Sequence, residues 1–94
     1  MLKVGILQAE LEVPWAQSLK DKRSVVKSIR DKTRRRFNVS ISEIENQDSI
    51  TNVCLGVVMA GTDVQYILGA LEKFKDSLRD WPDARLIDVQ VEVI

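Results

Sequence analysis

The chain has 94 residues, 45% of them hydrophobic and 30% charged, with 14 Lys and Arg against 14 Asp and Glu for a formal net charge of zero. This is the balance of a globular chain the size of one small domain, residues 1–94, and it excludes a surface coated uniformly in positive charge. With no His and a single Cys, the sequence excludes His-based nucleophile systems, a His general base, a His-ligated or multi-thiolate zinc and an internal disulfide.

The first segment, residues 2–13, alternates. Gly5, Leu7, Ala9, Leu11 and Val13 share one parity and Gln8, Glu10 and Glu12 the other, the period of a half-buried strand. Pro14 breaks it. Ser18, three residues before Asp21, forms a capping-box-like helix start. Leu19, Val25, Val26, Ile29 and Phe37 then fall on one stripe at helical spacing, with Lys22 inside that stripe and its stem expected to snorkel along the core edge. Asn38 marks the helix exit, and Val39–Glu45 returns to strand character. Asn46-Gln47-Asp48-Ser49 reads as a turn, and Thr51–Ala60 is β-branched and almost continuously apolar, as a central strand is.

Gly61-Thr62 leads into a second helix, for which Thr62 is the expected N-cap. Val64, Ile67, Leu68, Leu71, Phe74, Leu78 and Trp81 recur every three or four residues along it, and Pro82 ends it. The last segment, Leu86–Ile94, alternates again. Ile87, Val89, Val91 and Val93 are expected on one face and Leu86, Asp88, Gln90 and Glu92 on the other. The order is strand, helix, strand, strand, helix, strand. With right-handed crossovers this predicts an α+β chain: a ferredoxin-like βαββαβ sandwich with a four-stranded antiparallel sheet and two helices on one face.

Charge is distributed unevenly. Between Lys20 and Arg36 nine basic residues face only Asp21 and Asp31, a net of +7, whereas the rest of the chain carries −7. Lys20, Arg23, Lys27, Arg30 and Arg34 line one helix flank at spacings of 3, 4, 3 and 4, with Lys22 and Arg35 nearby. Such a row reads either as a phosphate-binding ridge for RNA or the ribosome, or as a solvated face whose last-turn cations suit the helix dipole. The five aromatics, Trp15, Phe37, Tyr66, Phe74 and Trp81, all lie in or beside the helices. The open sheet face therefore lacks the stacking platform of an RNA-reading sheet. It carries Glu10, Glu12, Asp88 and Glu92, so nucleic acid is expected on the helical side. Val4 and Ile6 form the apolar end of this face, suited to a homodimer or a protein partner, and Trp15 is either a partner anchor or a cap over the helix start.

No glycine-rich phosphate cradle, metal constellation or acid–base pair stands out, so neither an enzyme, a cofactor nor a small-molecule substrate is expected. The loop Val13–Gln17 also lacks the glycine-rich, Arg-ending cradle of acylphosphatases, which share this topology. No apolar stretch is long enough to span a bilayer, and Glu10 and Glu12 stand where a signal peptide would need an apolar core. A cytoplasmic location is the expectation.

The run Ser18-Leu19-Lys20-Asp21-Lys22-Arg23-Ser24-Val25-Val26-Lys27-Ser28, followed by Phe37-Asn38-Val39-Ser40, closely resembles the YlxP-like family of bacterial proteins, domain-of-unknown-function family 503. The likeness extends through Gln47-Asp48 and Leu55-Gly56-Val57 to Asp88-Val89-Gln90-Val91-Glu92. It implies a small cytoplasmic ferredoxin-like domain without established activity, often encoded near translation and ribosome-maturation genes. The family pattern carries a Trp and an Arg after the Gln-Asp turn. This chain has Ser49-Ile50-Thr51-Asn52 there, which argues against a binding role for that loop.

Overall fold

A computed structural model describes all residues, Met1–Ile94. Strand β1 (Lys3–Glu12) leads to helix α1 (Leu19–Arg36), strands β2 (Ser40–Glu45) and β3 (Asn52–Gly61), helix α2 (Val64–Arg79) and strand β4 (Arg85–Val93). All pairings are antiparallel, and the sheet order is β2-β3-β1-β4. This is the ferredoxin-like βαββαβ sandwich, with the helices on one face.

The alternation of β1 and β3 has a direct cause. Leu7, Ala9 and Leu11 of β1, with Val53, Leu55, Val57 and Met59 of β3, point into the core beneath the helices. Val25, Val26 and Ile29 of α1, and Ile67, Leu71, Phe74 and Leu78 of α2, cover them. Full burial of each large side chain contributes ~1.5–3 kcal/mol, so this shared core is the main force placing α1 and α2 on the sheet. Gly5 fixes how closely α2 approaches. A Cβ at this position would stand 2.4 Å from Ile67 Cγ2 and 3.0 Å from Leu71 Cδ1. Neither helix is long and apolar enough to cross a membrane.

Capping follows local chemistry at α1. Ser18 Oγ accepts from Asp21 N at 3.1 Å, and Asp21 Oδ2 accepts from Gln17 N at 3.0 Å. At α2 the expectation fails by one residue. Asp63, not Thr62, is the N-cap, with Oδ1 accepting from Gln65 N at 2.9 Å. A carboxylate at the positive end of the helix dipole serves this position better than a hydroxyl one residue too early.

The face assignment at the start of β4 also needs correction. Glu10 pairs with Asp88 but Leu11 pairs with Leu86, so Ile87 is an extra residue in a β-bulge. One inserted residue exchanges the two faces beyond it. Leu86 therefore packs against the core and Ile87 stands 49% exposed, the reverse of the alternation expected from sequence.

Candidate functional site

Helix α1 buries Val25, Val26, Ile29 and Thr33, which leaves its flanks and outer side to the charged residues. Lys20, Arg23, Lys27, Arg30 and Arg34 form a row along one flank. Arg34 Nη2 donates to the main-chain oxygen of Ile41 at 3.4 Å, which puts this flank above β2. Lys20, Arg23 and Arg35 are exposed and make no ion pair. Arg30 is half-buried, and its Nε has no protein acceptor.

The two acids of α1 are already engaged. Asp21 serves the N-cap, and Asp31 Oδ2 pairs with Lys27 Nζ at 2.8 Å. The hydrogen bond from Lys27 holds the Asp31 carboxyl below its ordinary 3.8, with the charges of Lys27, Arg30 and Arg35 acting in the same direction. The stabilisation from this depressed carboxyl is present above its unfolded pKa and is lost as pH falls through the lower folded value.

Lys22 does not belong to this surface. It is fully buried, with Nζ 2.9 Å from Glu43 Oε2 and donating to the main-chain oxygens of Asn46 at 2.7 Å, Asn52 at 3.2 Å and Gln47 at 3.3 Å. The expected snorkelling and its place among the nucleic-acid-binding residues are both overturned. A buried ammonium needs oxygens around it, and the β2–β3 turn supplies them. Asn46 assists by taking φ 60°, and its oxygen also accepts from Ser49 N at 2.9 Å. The basic helical run thus mixes caps, a structural lysine and core valines with its exposed cations.

Trp15 is half-exposed, and its Nε1 donates to the main-chain oxygen of Asp83 at 2.9 Å. It straps the loop before α1 to the loop after α2.

The open sheet face is graded along the strands. Val4 lies between Ile94 and Ala60, and Ile6 lies between Glu92 and Val58. Val58 is 44% and Ile94 62% exposed, so Val4 and Ile6 join a broader apolar end. Next come Gln8 and Gln90, then Glu10, Asp88, Glu45 and Cys54. Burial pushes the Cys54 thiol above its ordinary value, and Glu45, Glu10 and Glu43 push it further. No group of three or more Cys, Asp or Glu side chains is arranged to hold a metal ion.

A second basic surface was missed in the sequence. The C-terminal part of α1 and the flank of α2 that faces it border a furrow made of two hollows that share Arg36 and Phe37. One, of about 290 Å³, also takes in Lys32, Arg35 and Trp81; the other, of about 390 Å³, takes in Tyr66, Gly69 and Lys73. Lys32 Nζ sits 5.1 Å from the Trp81 ring centroid, and the Arg36 guanidinium 5.3 Å from that of Phe37. The sequence signal was Tyr66, Gly69 and Lys73 at helical spacing on one side of α2. It stays hidden until the fold brings that side against α1.

Over residues 4–91 the chain matches the family described as "Protein of unknown function (DUF503)". It is 32% identical over 80 residues to the uncharacterized protein YlxP of Bacillus subtilis strain 168, across 78% of this chain and 87% of that protein. Among solved structures it is similar to a dimeric ferredoxin-like protein from an uncultured marine organism. That likeness has 9% identity and a TM-score of 0.46, over 100% of this chain and 94% of the other.

Proposed function

Because the chain belongs to the DUF503 family of proteins of unknown function, which supplies no activity to transfer, we propose from its own surfaces that it is a non-catalytic cytoplasmic module that binds RNA, free or in the ribosome. The observation that carries this reading is the exposed side of α1. With Lys22 withdrawn into the core, eight basic residues remain on the helix against two acids, and both acids are held by local partners. Like charges at three- and four-residue spacing each cost the helix ~0.2–0.5 kcal/mol, a repulsion that phosphates relieve. The acidic part of the sheet lies on the far side, so a polyanion meets the helical layer first.

The test is RNA affinity against salt. If the five-cation row contacts phosphates, affinity falls about 10²- to 10³-fold between roughly 50 and 200 mM salt. Arg23→Glu with Arg30→Glu lowers affinity at least ~10-fold and flattens that slope by roughly 1.5–2. Unchanged affinity and slope in a double variant with wild-type circular dichroism would sink the ridge.

A homodimer through the open sheet face is a second reading, favoured by the apolar end around Val4, Ile6, Val58 and Ile94. Ile6→Lys puts a cation at its centre. The expected result is a concentration-dependent sedimentation shift in the wild type that disappears in the variant. A wild type that sediments as a monomer at every concentration rules this reading out.

A further inference from the structure

We propose that the furrow between α1 and α2 is a subsite for unpaired RNA, in which a base stacks on Tyr66 while Arg36 and Lys73 hold the adjoining phosphates. The inference rests on the reading of α1 as an RNA surface and names the form of RNA that surface takes.

The furrow is positively charged. Lys32, Arg35, Arg36 and Lys73 border the furrow and no carboxylate does, although Asp and Glu are as numerous as Lys and Arg in the chain. The furrow also offers an accessible ring. Tyr66 is 68% exposed, and its phenol makes no hydrogen bond within the protein. Base–aromatic stacking needs such a free face, with cations nearby for the backbone. Trp81, partly buried against the core and covered by Lys32, closes the other end of the furrow.

Gly69 differs from the other glycines of the chain. Gly5, Gly56 and Gly61 each have a close neighbour where a Cβ would go: Ile67 for Gly5 and Gly61, Ile44 for Gly56. Gly69 has nothing within 4 Å of that point. Glycine weakens a helix relative to alanine, and nothing inside the protein requires one here. Its missing side chain keeps open the space one turn from Tyr66, at the mouth of the furrow. The hollow of about 390 Å³ falls in the range of ligand-sized pockets, ~300–1,000 Å³, and that of about 290 Å³ lies just below it. Bases stacked within a duplex cannot reach into them, whereas splayed single-stranded bases can.

The experiment compares a short single-stranded RNA with a blunt duplex of the same sequence, by fluorescence anisotropy. Tyr66→Ala is expected to lower single-strand affinity at least ~5-fold, the low end of one base–aromatic stack, and to leave duplex affinity unchanged. Gly69→Gln fills the open space without altering charge and strengthens the helix, so its thermal midpoint should equal or exceed wild type while single-strand affinity falls at least ~3-fold. The furrow is overturned if either variant binds the single strand as wild type does, or loses duplex binding equally. If the wild type binds neither RNA, the RNA reading of α1 fails first. If Arg23→Glu with Arg30→Glu loses binding while Tyr66→Ala does not, the ridge stands and the furrow falls.

Discussion

Lys22→Met is expected to destabilise the fold by about 3–5 kcal/mol, the usual cost of breaking a buried ion pair from one side. For a chain of 94 residues this lowers the thermal midpoint by more than ~12 °C. Methionine keeps the apolar stem but withdraws the ammonium from Glu43 and from the carbonyls of Asn46, Gln47 and Asn52. Glu43 is only 15% exposed, so water reaches it poorly once its partner is gone. Urea denaturation measures the loss, and a cost below ~1 kcal/mol would contradict the structural role of Lys22. Lys22→Met with Glu43→Leu should cost less than Lys22→Met alone, because no unpaired carboxylate remains. Where the single variant still folds, its RNA affinity should match wild type, since a side chain without solvent contact cannot meet phosphate.

The second large effect is expected at Phe74. Phe74→Ala should cost about 3–5 kcal/mol by opening a cavity in the fully buried centre of α2. Part of the cost comes from Phe37, whose ring meets Phe74 edge-on at 82° with centroids 5.9 Å apart, a contact worth ~0.5–1.5 kcal/mol beyond burial. Phe74→Leu retains most of the volume and should lose clearly less. Equal losses for Ala and Leu in urea titrations would mean that the ring contact, and not the cavity, dominates. Phe37 also borders both hollows of the furrow, so Phe74→Ala should weaken single-strand binding without removing a furrow residue.

The elements were legible because each rests on a local signal. Ser18 and Asp21 announce the start of α1, and the parity of Leu7, Ala9 and Leu11 announces a one-sided strand. Two local readings failed because a stronger neighbour or an inserted residue intervened: Asp63 displaced Thr62, and Ile87 reversed the faces at the start of β4. Composition and alternation do not encode a bulge. Lys22 was misread for a different reason. Its helical position was read correctly as inward, but the oxygens that make burial tolerable lie 21–30 residues away, in Glu43, Asn46, Gln47 and Asn52. The furrow is non-local in the same sense. Lys32 and Arg36 stood in the basic run, and Tyr66 and Trp81 among the aromatics; only the packing of α2 beside α1 unites them.

β2 and β4 are the two outer strands, and each is broken by a register shift, between Glu43 and Glu45 in β2 and at Ile87 in β4. Both shifts fall near the Cys54–Glu10 level, so the sheet has two kinked margins at one height. A straight strand from another chain, added to either margin, would lose its hydrogen-bond register there. Edge-to-edge growth into ribbons or fibrils is thereby blocked at both ends of the sheet, and contact between copies is left to the broad faces.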